Sequence, residues 1–305
     1  VGSATLQVIA AIHLAAREPD EASRALGGAV MLLREIQDAR AEATAQHAVM
    51  QAHLMQGRSG KEGAHALALE AAMRALSLLK QCGDARENAS ALLQVATVHF
   101  AAGNLEESLR ILSDAQATCQ EHGHRNVEVA VLHLATDVHL AKREPGLALQ
   151  RASDALALAH DRRGEAMGLQ KVAAVHLEMD EPTEALGKAE DALARFKGVD
   201  DNRGMAHAMR TIVDALLIKK NHSAALEQAQ EMLLLFQELE DRAGEVACLR
   251  TIVEQHCALQ QLDEAGQVLE EARVLYREMK DRNGEQHVLG VYSEALHRAG
   301  NSGEA

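Results

Sequence analysis

Asp161-Arg162-Arg163-Gly164-Glu165 and Asp241-Arg242-Ala243-Gly244-Glu245 are one pentapeptide with a single change, and Asp201 and Asp281 open near-identical turns, so four copies stand 40 residues apart. Self-similarity at a fixed period of about 20–50 residues marks a solenoid of stacked supersecondary units. Solenoids act by presenting a long surface, so this pattern predicts the kind of function better than it predicts a ligand. Asp suits the cap of a helix and Gly a sharp reversal, so the pentapeptide is expected where one helix ends and the next begins.

Eight stretches carry the pattern, and a histidine registers them: His13, His53, His99, His139, His176 and His256, with Leu216 and Leu296 in the two remaining copies. Seven residues before that slot stand Leu6, Gln46, Leu92, Leu132, Leu169, Met209, Leu249 and Leu289; four before it stand Ile9, Val49, Val95, Ala135, Val172, Ile212, Ile252 and Tyr292. Spacings of three, four and seven place these residues on one helical stripe. Nine residues after the slot come Ala22, Ser108, Ala148, Ala185, Ala225 and Ala265, small side chains that let a second helix approach the first. Pro19, Pro145 and Pro182 all fall six residues after the histidine. Proline is tolerated in the first turn of a helix and disruptive later, so this slot separates a first helix, A, from a second, B.

The expected fold is therefore all-α, about seven and a half helix-turn-helix repeats at roughly 1–37, 38–83, 84–123, 124–160, 161–200, 201–240, 241–280 and 281–305. The spacing widens between His53 and His99, where Gly57-Arg58-Ser59-Gly60-Lys61-Glu62-Gly63 is expected to form a flexible loop enlarging the A-to-B turn. That segment lacks the Gly-x4-Gly-Lys-Ser/Thr spacing of a phosphate loop. The repeats run to both ends without the atypical units that cap a solenoid, so the array is expected to belong to a longer protein.

Composition agrees with helices packed through small side chains: the chain is 47% hydrophobic but only 2% aromatic, with no Trp and three Pro. A net charge of −14 argues against nucleic acid as a partner, since that binding rests on Lys and Arg neutralising phosphates. No apolar run approaches the roughly 20 residues of a membrane span, so no membrane insertion is expected. The four cysteines, Cys82, Cys119, Cys248 and Cys257, have neither zinc-ligand nor disulfide-framework spacing and point to a reducing, cytoplasmic compartment. The histidine column is read as packing. Neighbouring helices about 8–10 Å apart would hold the rings too widely for a closed metal cluster, and half-buried neutral rings would make stability fall below about pH 6.

These columns resemble the tetratricopeptide repeat, in its long 40-residue subclass typified by kinesin light chains and Pins-type adaptors: Leu fills the Trp slot, Ile or Val the Leu slot, His the Tyr slot, and the helix B alanines match directly. The resemblance covers nearly the whole chain. It implies a right-handed superhelix whose A helices line a concave groove holding a peptide, a helix or a protein. Residues six and two before the histidine would face that groove: His47 and Gln51, Thr97, His133 and Asp137, Gln170, Arg210 and Asp214, Arg250 and Glu254. Peptide-binding members place Asn five residues before the histidine; here only Gln94 and Lys171 in that column could substitute, so a docked helix or folded partner suits the groove better. Arg210 with Asp214 and Arg250 with Glu254 are i, i+4 pairs, either a ladder of intrahelical ion pairs or a clamp on a partner. No nucleophile, base and oxyanion set converges, and no cofactor or metal is expected. The expected function is a non-enzymatic scaffold; the alternatives are a ligand- or peptide-sensing regulatory region of a larger protein, or a structural subunit of an assembly.

Overall fold

The computed structural model describes residues 2–16 and 18–302; Val1, Arg17 and residues 303–305, and with them the outer limits of the first and eighth repeats, lie outside the described residues. Among the described residues the regular structure is fifteen α-helices: α1 (Gly2–Ala15), α2 (Pro19–Glu35), α3 (Ala39–Arg58), α4 (Ala64–Cys82), α5 (Ala85–Ala101), α6 (Leu105–His122), α7 (Arg125–Ala141), α8 (Pro145–Leu158), α9 (Arg162–Glu178), α10 (Pro182–Lys197), α11 (Asn202–Ile218), α12 (His222–Glu238), α13 (Arg242–Ala258), α14 (Leu262–Glu278) and α15 (Arg282–Ser302). The chain forms two compact units, Val1–Leu158 and Ala159–Ala305.

Within each unit consecutive helices pair as hairpins, and each second helix packs on the first helix of the next hairpin: α2 on α3, α4 on α5 and α6 on α7 in the first unit, α10 on α11, α12 on α13 and α14 on α15 in the second. First helices also touch one another, α3 with α5, α5 with α7, α9 with α11 and α13 with α15, whereas among the described residues second helices make no comparable contact. The odd-numbered helices therefore lie on the inside of each unit's bend. The slot nine after the marker histidine is fully buried at Ala22, Ser108, Ala148, Ala185, Ala225 and Ala265, the close approach that small side chains permit.

The Asp-x-x-Gly turns cap as expected, but their glycines do something else. Asp161, Asp201, Asp241 and Asp281 accept the amide of the residue three on, Gly164, Gly204, Gly244 and Gly284, at 2.6, 3.0, 3.2 and 2.9 Å. The reversal itself falls on the residue before the aspartate, in the left-handed region at Asp200, Glu240 and Lys280. The glycines are helical, in the first turn of the next helix. A Cβ on Gly204, Gly244 or Gly284 would lie 2.2 Å from a ring carbon of Phe196, Phe236 or Tyr276 respectively. The absent side chain is thus the seat of an aromatic ring from the preceding helix.

The 57–63 insertion also differs from expectation. Gly57 and Arg58 extend α3 to 20 residues, which leaves a short connection with left-handed Gly60 and Gly63. Lys61 Nζ anchors that connection to Asp20 Oδ1 at 2.6 Å, and Gln56 Nε2 donates to the same oxygen at 2.8 Å. The added backbone groups find partners in helix and in Asp20, so a floppy loop is not needed to accommodate them.

Candidate functional site

Four of the six marker histidines lock the turn between first and second helix. His13, His139 and His176 donate from Nδ1 to the carboxylates of Glu18, Glu144 and Glu181 at 2.7, 2.8 and 2.7 Å, and His256 donates to Gln261 Oε1 at 2.8 Å. The acceptor is in each case the residue five further on, whose own amide bonds back to the histidine's carbonyl. That residue is the N-cap of the second helix, yet its side chain turns backward to the ring instead of forward to cap. Where Leu216 replaces the histidine, Asn221 turns forward and accepts the amide of Ala224. The lock is a packing role with a satisfied ring nitrogen. The His139 bond is the main cause that holds Glu144 below the ordinary glutamate range, with the Lys142 charge adding to it against some desolvation.

The inner face differs between the units. In the first, Gln51 Nε2 donates to His47 Nε2 at 2.9 Å, Thr97 returns its hydroxyl to the carbonyl of Leu93 at 2.8 Å, and His133 is buried, so these side chains are taken up within the helices. Gln94 and Asp137 are half-buried there. The buried His47 Nδ1 and Gln94 Oε1 carry no hydrogen bond. In the second unit, Gln170 joins α9 to α11 by donating to Thr211 Oγ1 at 2.6 Å and to the His207 carbonyl at 3.3 Å, and the neighbouring Lys171 is half-buried. Arg250 pairs with Glu254 at 3.6 Å, and Glu254 also meets His287 of α15 at 3.7 Å. Among the described residues no ion pair joins Arg210 to Asp214.

Helix α11 carries an exposed polar face. Arg203, His207, Arg210 and Asp214, spaced four, three and four apart, lie on one exposed stripe of it. Asp214 combines two properties: its side chain is open to solvent, yet desolvation raises its pKa above the ordinary aspartate range, against the pull of Arg210. Arg203, His207 and His287 were not among the groove residues read from the sequence. They belong to columns nine and thirteen before the marker slot, on the same stripe one and two turns earlier, so the signal was there to be extended.

Among the described residues no group of three or more His, Cys, Asp or Glu is arranged to hold a metal ion, and no helix is long and apolar enough to cross a membrane. All four cysteines are unpaired; burial, with Asp241 and Glu245 adding to it, pushes the Cys248 thiol up to about 12, and burial also raises Cys119 and Cys257.

No protein-family model matches the chain, and no curated protein matches it. Solved structures do. The STAND protein with a tetratricopeptide-repeat sensor from Pyrococcus horikoshii aligns with a TM-score of 0.65 at 13% identity, covering 97% of this chain and 47% of that one. A Rap protein complexed with Competence and Sporulation Factor aligns at 0.57 and 14% identity, covering 97% and 98%. A putative kinesin light chain from Podosopora anserina with TPR-like repeats aligns at 0.56 and 13% identity, covering 65% and 98%. At such identities the likeness establishes the fold: a helical array of the tetratricopeptide-repeat type.

Proposed function

We propose that this chain is a non-enzymatic interaction scaffold that takes a partner protein, offered as a helix or a folded surface, on the inner face of its first helices. The observation that carries the reading is the α11 stripe, where Arg203, His207, Arg210 and Asp214 stand exposed on the inside of a bend, with desolvation holding the Asp214 carboxyl above the ordinary aspartate range. Desolvated charges flanked by protein are where a partner's complementary group gains most, because solvent screening is weakest there. Arg210 and Arg250 offer fork-shaped donors to a partner's carboxylates or carbonyls. A reducing, cytoplasmic setting fits unpaired thiols of which Cys248 and Cys119 are buried, and the net charge of −14 disfavours nucleic acid. We read residues 1–305 as one array.

The test is joint charge reversal, Arg210→Glu with Arg250→Glu, followed by affinity capture from the native organism and identification of what each form retains. Loss of a specifically retained protein with unchanged helical circular dichroism is the expected result. Identical capture by both forms would assign the pairs to an intrahelical ladder and sink the reading. The likeness to Rap proteins solved with Competence and Sporulation Factor and with the Phr* peptide favours one second reading, a peptide-sensing region of a larger protein. In that case a short peptide, not a folded protein, would be what the wild-type chain retains and the double variant loses.

A further inference from the structure

The inner face of the second unit sorts its charges into two rows. Arg210 precedes Asp214 on α11, and Arg250 precedes Glu254 on α13, by one turn, so the arginines lie nearer the helix starts and the carboxylates nearer the helix ends. Arg203 and His207 of α11 and His287 of α15, all exposed, widen the basic row. Helix dipoles favour the opposite order, with carboxylates in the first turn and cations in the last. Arg203 stands in the first turn of α11, which holds no acidic residue. The arginine in the same slot of α9, Arg163, is held by Asp201 at 2.8 Å, whereas among the described residues neither Arg203 nor Arg210 enters an ion pair. The stability of the fold alone does not favour this order; a bound element of the opposite pattern does.

Both rows cross the least closely joined step of this unit's first helices. Gln170 ties α9 to α11 by donating to Thr211 Oγ1 and to the His207 carbonyl, and Glu254 meets His287 across α13 and α15. Between α11 and α13 the same acceptors are present, since Thr251 donates to the Ala247 carbonyl at 3.1 Å just as Thr211 donates to that of His207 at 3.2 Å. Arg210, in the slot of Gln170, makes no such bond among the described residues, and α11 and α13 make no contact comparable to those of α9 with α11 and α13 with α15. On α13 the slots of Arg203 and His207 hold exposed Ala243 and Ala247, small enough to let another backbone approach. Arg210 and Arg250 thus stand on either side of an open step, each with a guanidinium fork to offer.

Resting on the scaffold reading above, we infer that this face takes a helix whose charges are segregated lengthwise: carboxylates along the edge facing Arg203, Arg210 and Arg250, and lysines or arginines along the edge facing Asp214 and Glu254. Carboxylates seven residues apart on a helix are about 10 Å apart, the scale of one step between neighbouring helices. The bound helix therefore runs across α11 and α13, not along either. A purely acidic partner would meet the carboxylate row and a chain of net charge −14; the basic edge is what lets its carboxylates approach.

The probes are three synthetic alanine-based helical peptides of about 20 residues, titrated against the full chain by fluorescence anisotropy. One carries Glu and Lys on opposite edges, the second carries the same residues interleaved, and the third replaces every Lys by Gln. At low salt the segregated peptide should bind about tenfold or more tightly than either of the others, an advantage that shrinks toward about 0.5 M salt. Arg210→Glu with Arg250→Glu should remove that advantage, and so should Asp214→Lys with Glu254→Lys. The fourfold variant has the wild-type net charge with its rows exchanged, and it should recover the advantage because the peptide can dock end for end. Equal affinity for the segregated and interleaved peptides, no binding of the segregated one, or no effect of the Asp214 and Glu254 changes would each overturn the inference. None of these results touches the scaffold reading, which the capture experiment decides: a protein retained by the wild type and lost by the double arginine variant would uphold it even if no probe bound.

Discussion

The two units solve the same stacking problem with different materials. In Ala159–Ala305 each junction between hairpins repeats one device: an aspartate cap, a glycine three residues later, and a ring from the preceding helix seated on that glycine, as in Phe196 on Gly204 and Phe236 on Gly244. In Val1–Leu158 the corresponding slots hold Leu33 against Ala41, Leu79 against Glu87 and Cys119 against Val127, so no ring and no glycine is used. There the junction between α2, α3 and α4 leans on charge: Glu42, buried, accepts from Arg34 at 2.8 Å and from Arg74 at 3.2 Å. A ring in a fitted seat fixes the spacing of repeats, and the second unit's spacing is a constant 40. Leu, Ala and ion pairs tolerate variation, and the first unit absorbs an insertion.

The comparison breaks first at the ring. Phe196→Ala should cost about 3–4 kcal/mol as a large-to-small change at a buried position. Gly204→Ala should cost about 2 kcal/mol, because its Cβ would meet the ring at 2.2 Å. In the Phe196→Ala background the glycine change should turn neutral or stabilising, a coupling that urea unfolding of the four forms will measure. Gly27 of α2, with nothing within 4 Å of a built Cβ, is the first unit's control. Gly27→Ala should stabilise by about 0.5–1 kcal/mol through helix propensity alone. Equal costs at Gly204 and Gly27 would mean the ring seat has no special role.

Charge separates the units next. Glu42→Gln should cost about 1.5 kcal/mol; the loss stays moderate because both arginines are half exposed and can turn to water. The pH response has opposite signs in the two units. Burial raises the Glu42 pKa, but Arg34 and Arg74 together outweigh it and hold the group below its ordinary value of 4.5. A depressed carboxyl contributes stability that is present above that ordinary value and lost as pH falls through the folded one. Asp214 is raised, so the folded state holds its proton more tightly, and stability grows as pH falls from the folded value toward 3.8. Hydrogen exchange between about pH 5 and 3.5 should therefore show the wild-type advantage over Glu42→Gln shrinking in the first unit, while the deficit against Asp214→Asn shrinks in the second. Parallel trends at both sites would refute the assignment.

Much of this is legible in the amino-acid sequence alone. The three prolines in one slot and the aspartates at a fixed period report local backbone requirements, which depend on neighbours in sequence, and the helix boundaries follow from them. The seat at Gly204 was hidden because its cause, Phe196, acts across a turn; nothing local distinguishes a glycine needed for its backbone from one needed for its missing side chain. The backward reach of Glu18, Glu144, Glu181 and Gln261 recurs at a constant offset from the histidines and was readable as a column. Of the groove, the periodic Arg210 and Arg250 stood out by repetition, but whether they face each other's acids or open solvent is set by rotamers and helix spacing. That is why Arg250 and Glu254 meet while Arg210 and Asp214 do not.

The smallest expected effect lies in the turn lock of the first unit. His99 occupies the marker slot, but the residue five further on is Asn104, and the buried His99 Nδ1 has no hydrogen-bond partner. Asn is one methylene shorter than the Glu or Gln that completes the lock elsewhere, and its side chain makes no cap bond either, so replacing it forfeits little. Asn104→Glu should supply the missing acceptor and stabilise by about 0.5–1 kcal/mol, the net worth of one intramolecular hydrogen bond. Glu144→Asn should remove the same bond from the next hairpin at similar cost. If Asn104→Glu in a His99→Leu background gains as much as it does in the wild type, the benefit comes from helix-terminal charge and not from the ring, and the lock would not be what holds these turns.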